Sequence, residues 1–399
     1  MKISIKKIQS KDQPFFLVYG IYLFFSYINL SLLGGYLPGI YYLVCILSVF
    51  SLLLLEFLHK NMSIISCWEL ILAITLLLLI DYSRGTISFE SFAVLIVFII
   101  SGKERDISKI IWFTMIISVI SLILIVVSSQ IGIIDDYVSN YYGRLRHYLG
   151  FTYCLYPSRI IASITMMYVF LKENNLTIGS SIVLLCINLI FYYATDSRIA
   201  FASVIFIVFF SNIYNYIKQQ GIPIKGFKVA RNFLRIVIQI VITFIYPICC
   251  IVSFWCAVKF DSSNKMLSYI NTYLGNRIVL AQKSLLMYGM KWHGQNIQWN
   301  GAGLSKYGTL SKNAYNWVDN VYIKMFQSYG YIFGILIIFG LTFFMYRLAK
   351  TNKVILTLIF VILAVNCMFE DILMQLCFNP FWFFVPSLFR KKEKKENIS

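Results

Sequence analysis

Long apolar runs follow one another along almost the whole chain, separated by short polar segments, and this pattern predicts membrane-crossing helices rather than a soluble core. The predicted spans are 14–32, 37–58, 64–80, 87–100, 107–134, 158–171, 176–194, 199–217, 236–258, 321–346, 354–369 and 372–389. Those starting at 87, 158 and 372 fall short of the roughly 20 residues a crossing helix needs, so each is a candidate for a tilted, broken or partly re-entrant segment. Two polar stretches exceed what a turn requires. Residues 135–157, DDYVSNYYGRLRHYLGFTYCLYP, form a first outer loop with aromatics suited to an interface. Residues 259–316 form a large outer loop between the ninth and tenth spans. In it Met266, Ile270, Leu274, Ile278, Leu285 and Tyr288 recur near helical spacing, with Gly275 and Gly289 as helix ends, which predicts one or two amphipathic helices. The stretch KWHGQNIQWNGAGLSKYG that follows is expected to be irregular.

Composition agrees with this reading: of 399 residues, 59% are hydrophobic and 13% charged. The fold class is an all-α, polytopic helical membrane protein of about twelve spans, a single membrane domain over 1–399. The net charge of +18 would point to nucleic acid in a soluble protein, but here most lysines fall in short segments on one side. Lys2, Lys6, Lys7 and Lys11; Lys60; Lys103, Arg105 and Lys109; Lys172; Lys218, Lys225, Lys228, Arg231 and Arg235; Arg347, Lys350 and Lys353; and Arg390, Lys391, Lys392, Lys394 and Lys395 mark one side as cytoplasmic, with both termini on it. Nucleic acid is therefore not an expected partner; the lipid bilayer is. The basic start followed by residues 14–32 lacks a small-residue cleavage site and reads as an uncleaved first span. The nine cysteines show no paired-ligand spacing and read as free, lipid-buried thiols.

Arginine breaks the charge pattern. Six of the eleven, Arg84, Arg144, Arg146, Arg159, Arg198 and Arg277, fall at span edges or in loops on the outer side, where such placement is costly unless an anion compensates it. A diphosphate fits, because a guanidinium donates paired hydrogen bonds to phosphate oxygens and stays charged in a low-dielectric site. Each arginine could also anchor a span end by snorkelling. Arg198 is the most specific position, since Thr195-Asp196-Ser197-Arg198 joins two spans by a very tight outer turn in which Asp196 could pair with it. Candidate bases are Asp319, at the outer end of a span, which could also cap a helix or pair with Lys324 or a loop arginine, and His293, in Trp292-His293-Gly294. His147 could add donors to the phosphate site, and Glu370-Asp371, with Trp382 or aromatics of the long loop, could contact sugar.

YYATDSRIAF, with Ser197 and Arg198 at the turn, resembles the Wzy-type polysaccharide polymerases, relatives of the O-antigen ligases. The likeness extends to RHYLGFTYCLYP, where Leu155-Tyr156-Pro157 stand in place of the family's His-Pro-Asn, to Gly275-Asn276-Arg277 with Tyr288-Gly289 and Gly294, and to Trp317-Val318-Asp319-Asn320 with Tyr322 and Gly330. It implies a bacterial cytoplasmic-membrane enzyme that polymerises undecaprenyl-diphosphate-linked repeat units into capsular, exopolysaccharide or O-antigen chains. The transfer would take place at the outer face without metal or other cofactor. Arg146, Arg159, Arg198 and Arg277 would hold the diphosphate, with Arg144, His147 and Arg84 in secondary roles and Asp319 or His293 as base. A chain-length regulator and a flippase of the same pathway would be its protein partners. The alternatives are a glycan ligase of the same superfamily and a lipid-linked oligosaccharide flippase or other transporter. A transporter would place charges deep in broken spans and often shows repeats between its halves; neither is evident.

Overall fold

The computed structural model describes residues 12–58, 75, 92–141, 143–220, 228–310, 315–351, 353–371 and 375–389. They fold mainly into helices: α1 Gln13–Asn29, α2 Ile40–Leu58, α3 Phe92–Ser101, α4 Ile107–Gln130, α5 Tyr156–Lys172, α6 Ile178–Thr195, α7 Arg198–Gln220, α8 Lys228–Thr243, α9 Ile245–Val258, α10 Lys265–Tyr273, α11 Arg277–Tyr288, α12 Val321–Ala349, α13 Val354–Asn366 and α14 Val385–Phe389. Four of these, α4, α6, α7 and α12, are long and apolar enough to cross a membrane, or five spans if the bent pair α8–α9 counts as one. Helices α2 and α13 are apolar but shorter. This is the architecture of a helical membrane protein. The predicted span 64–80 lies outside the described residues except for Thr75, and span 87–100 is described from Phe92 onward.

Local chemistry sets the helix starts. Asp106 caps α4 through Ser108 N, Thr177 and Ser180 form a reciprocal capping box at α6, and Asn320 caps α12 through Ile323 N. Buried hydroxyls then lace the bundle, since side-chain polar groups inside an apolar environment need partners. Tyr19 on α1 shares a 3.0 Å hydrogen bond with Thr114 on α4, and one full turn along α4 Ser118 shares one of 2.7 Å with Tyr27.

The structure adds to or corrects the sequence reading at several points. Within the stretch 135–157, for which the sequence predicts only a loop, β1 Val138–Tyr141 and β2 Arg144–His147 pair as an antiparallel hairpin, with Ser139 opposite Arg146 and Tyr141 opposite Arg144. The span predicted at 236–258 is bent by 61° between α8 and α9. The one predicted at 321–346 reaches Ala349 but is interrupted at Gly330 (φ 84°, ψ 173°). On α10, Met266 is exposed while Leu267 and Asn271 are buried, so the helix presents a different face inward from the one its apolar spacing suggested.

Gly330 is a position that requires glycine. A Cβ there would strike Trp292 O and Gly294 N, because the long outer loop docks into the break: Gln295 N donates to Ser328 O, Tyr331 N to Lys291 O and Ile332 N to Trp292 O.

The last predicted span, 372–389, is also not a continuous helix. Its described part passes through a turn and a 3-10 segment, Pro380–Phe384, before α14, because Pro380 and Pro386 lack the amide hydrogens that an uninterrupted helix would use. Such backbone is tolerated at membrane depth only when protein surrounds it. Cys377 through Phe384 are all buried, and two carbonyls are met by buried hydroxyls, Cys377 O by Tyr27 at 2.6 Å and Phe378 O by Ser163 at 2.7 Å. Phe383 packs edge-on against Phe15 and Tyr19. Trp382 belongs to this core beside Phe344 and Phe360, which removes it from any contact with sugar.

Candidate functional site

Alternation along β2 turns Arg144 and Arg146 to one side of the hairpin while Leu145, 63% exposed, faces the other. The α6–α7 turn is made by Asp196 in the left-handed conformation (φ 48°, ψ 44°), which ends α6 and lets α7 begin at Arg198. A similar device starts α11: Gly275 (φ 70°) and Asn276 (φ 65°) turn the chain so that Arg277 is the first helical residue. Asp319 immediately precedes the cap of α12, whose start is clamped to the end of α13 by Val321 N to Cys367 O and Asn320 Nδ2 to Met368 O.

These elements converge. A cavity of about 580 Å³ is lined by Arg144, Arg146, Arg198, Arg277 and Lys283, with Asp196, Asp319 and Glu370 as its acids. Four of the sequence-predicted arginines thus meet in one place with Asp319. Arg144 donates to the Asp196 carboxylate, and Arg198 Nε lies 3.5 Å from its other oxygen. Arg198 also donates to Tyr273 O at 3.0 Å with its guanidinium over the Tyr273 ring. Arg277 Nε lies 3.0 Å from Asp319 Oδ2, so Asp319 pairs with a loop arginine rather than Lys324 and leaves helix capping to Asn320.

Arg159 belongs to a neighbouring part of the site. It is 3% exposed at its side chain, 3.1 Å from Glu370 Oε2 and 3.7 Å from Asp371 Oδ1, and Lys324 Nζ reaches Asp371 Oδ2 at 3.1 Å. It lines a second cavity of about 420 Å³ with Tyr153, Tyr156, Trp299, Asn300, Trp317 and Asp371. Asp319, Tyr153, Ala302, Leu310 and Tyr315 line both cavities, so the two adjoin.

The electrostatics follow from burial and pairing. Burial works to raise the Asp196 carboxyl, but the hydrogen bond from Arg144 and the charges of Arg144, Arg198 and Arg146 hold it below the usual range. At Glu370 burial prevails over Arg159 and Arg277 and pushes the carboxyl up. At Asp371 burial is overcome by Lys324 and Arg159, which hold it down. Several buried polar atoms around the two cavities have no hydrogen-bond partner among the described residues: Arg146 Nε, Arg159 Nη2, Ser197 Oγ and Glu370 Oε1. Such groups are rare in a folded protein without a reason, and a bound ligand is one.

The remaining predicted residues lie elsewhere. His293 is exposed and lines neither cavity. His147 also lines neither; its Nδ1 is 2.6 Å from Asp136 Oδ2, whose other oxygen accepts Leu149 N and so supports the loop. Arg84 lies outside the described residues. Sequence reasoning did not single out Lys283, or the Arg159–Glu370 pair, which joins residues far apart in the chain. Among the described residues no three His, Cys, Asp or Glu side chains gather as a metal site would require. None of the eight described cysteines forms a disulfide. No protein-family model, curated protein or solved structure matches this chain.

Proposed function

We propose that the protein polymerises lipid-diphosphate-linked oligosaccharide repeat units at the outer face of a bacterial cytoplasmic membrane. The observation that carries this reading is the convergence of Arg146, Arg198 and Arg277, from three separate segments, on one cavity that the starts of α7 and α11 also border. Guanidinium forks and helix N-termini both favour phosphate oxygens. Five cationic against three acidic side chains leave the wall positive.

In this proposal the cavity lies at the depth of the lipid headgroups. Beyond the break at Gly330, α12 continues to Ala349, a length of roughly 30 Å at 1.5 Å per residue that matches a hydrocarbon core. Asp319, with its partner Arg277, precedes that break in the chain, and the proposed placement sets the pair at headgroup level. The twelve-span topology with both termini cytoplasmic belongs to this proposal. In its favour, the segment after Asp371, which meets Lys324, leads to Phe384, whose ring lies 4.8 Å from Lys353 Nζ on the opposite, basic side.

In the reaction an acceptor hydroxyl oxygen forms a bond to the anomeric carbon of the donor sugar. The bond from that carbon to the diphosphate breaks, and its electron pair leaves with undecaprenyl diphosphate. The arginines stabilise the charge gathering on the leaving group, and the hydroxyl proton passes to the Asp319 carboxylate. A glycan ligase would share these steps and differ in its acceptor. The test is reconstitution of the purified protein in liposomes with its lipid-linked repeat unit. A ladder of multiples, with release of undecaprenyl diphosphate, is expected; unreacted single units would overturn the reading.

A further inference from the structure

The second cavity differs from the first in chemistry, and the difference points to a different ligand. Among the described lining residues Arg159 is the one cation, beside two acids, Asp319 and Asp371, and five aromatic rings share the wall with the Asn300 amide. Its two carboxylates are already paired, Asp371 with Lys324 and Asp319 with Arg277, and its one described lining cation, Arg159, is held by Glu370 and Asp371, so the wall lacks the cluster of cations that a phosphate calls for. It suits neutral hydroxyl-rich rings, whose O–H groups donate to carboxylates while their C–H faces pack on aromatic rings.

The wall is also built rather than incidental. Lys324 Nζ sits 3.5 Å from the centre of the Trp317 ring and 3.1 Å from Asp371 Oδ2, so one lysine positions both an aromatic platform and an acceptor carboxylate. The loop that leads to Trp317 is tied by hydrogen bonds to its backbone: Asn300 N donates to Asn316 Oδ1 at 2.6 Å, and Trp317 N donates to Asn300 O at 3.2 Å. Leu304 N donates to Thr152 O at 2.7 Å, which fastens the same loop to the first outer loop. Arg159 Nη2, on a side chain 97% buried by its 3% exposure, has no hydrogen-bond partner among the described residues.

We propose that this second cavity is the acceptor's carbohydrate subsite, holding the terminal neutral sugar of the glycan that is to be extended. The inference rests on the glycosyl-transfer reading above. It adds a division of labour: diphosphate on one side of Asp319, sugar hydroxyl on the other. Asp319 lines both cavities, so a hydroxyl presented from the second faces the leaving diphosphate of the first with the carboxylate between them.

The test uses the full-length protein in liposomes with its lipid-linked repeat unit, and two soluble inhibitors: inorganic pyrophosphate, and the free repeat-unit oligosaccharide released from that lipid by mild acid. In Asn300→Ala and Trp317→Ala the oligosaccharide concentration giving half inhibition should rise about tenfold while that of pyrophosphate stays put; in Arg198→Lys the reverse should hold. Asn300→Ala spares the backbone bonds that hold the loop, and unchanged pyrophosphate inhibition certifies a folded first cavity. Equal oligosaccharide inhibition of all forms, or none in a wild type that polymerises, would overturn the subsite alone. A wild type that makes no polymer would overturn the parent reading and this inference with it.

Discussion

Arg277 Nε lies 3.0 Å from Asp319 Oδ2, and this pair joins the first residue of an outer-loop helix to the residue before the cap of α12. Both side chains are mostly buried, at 14% and 8% exposure. Removing one partner of such a pair strands the other charge. Arg277→Ala is expected to destabilise the protein by on the order of 3 kcal/mol, read as a lowered melting temperature in detergent. Adding Asp319→Ala should cost less than the sum of the two single changes; strict additivity would show that the pair is not coupled.

Asp196 gives a pH signature. Its carboxyl is held low in the folded protein because the pull of Arg144, Arg198 and Arg146 exceeds the effect of burial. The ionised group therefore adds stability that is fully present above the ordinary aspartate value of about 3.9 and is lost as pH falls through the lower folded value. Asp196→Asn should melt below wild type at neutral pH, with a gap that closes below about pH 4. A gap that persists in acid would mean the asparagine acts by shape and not by charge.

Gly330→Ala should release the long outer loop. The position combines a positive φ with carbonyl and amide groups of Trp292 and Gly294 where a Cβ would go. A strained backbone of this kind costs about 1–3 kcal/mol before the collision is counted. Limited proteolysis should cut residues 291–310 faster in the variant, and polymer formation should fall with it; protection equal to wild type would contradict the docking.

The two proposed bases separate cleanly. His293 is exposed and outside both cavities, while Asp319 lines both. His293→Ala should keep polymer yield within about twofold, whereas Asp319→Asn should lower it by about 10²-fold or more, the scale expected of a general base. A strong loss in His293→Ala would return histidine to the chemistry.

The arginines were readable in the sequence because the expected topology makes them anomalous: a charge expected on the wrong side of a membrane needs a reason, and that expectation is local to each residue. Gly275 and Gly289 were readable as helix ends, and both hold positive φ there. The breaks at Gly330 and between α8 and α9 were hidden, since apolar residues continue through them and hydropathy does not register a turn of direction. Residues 372–389 looked like a span for the same reason; what made the irregular path viable was a set of distant hydroxyls, Tyr27 and Ser163, that only the packed bundle supplies. Arg159 was legible as an arginine at a predicted span edge but not as the partner of Glu370, because no periodicity records a contact between α5 and the segment that follows α13. The hairpin at 138–147 was too short to stand out from its aromatic loop.

The most direct test of the central claim is the glycan profile of a strain lacking the protein, complemented with wild type or with Arg198→Ala. Single repeat units should accumulate on lipid at the outer leaflet, long chains should disappear, and only wild type should restore them, with both proteins present at equal level. Long chains of normal length from Arg198→Ala would contradict the account.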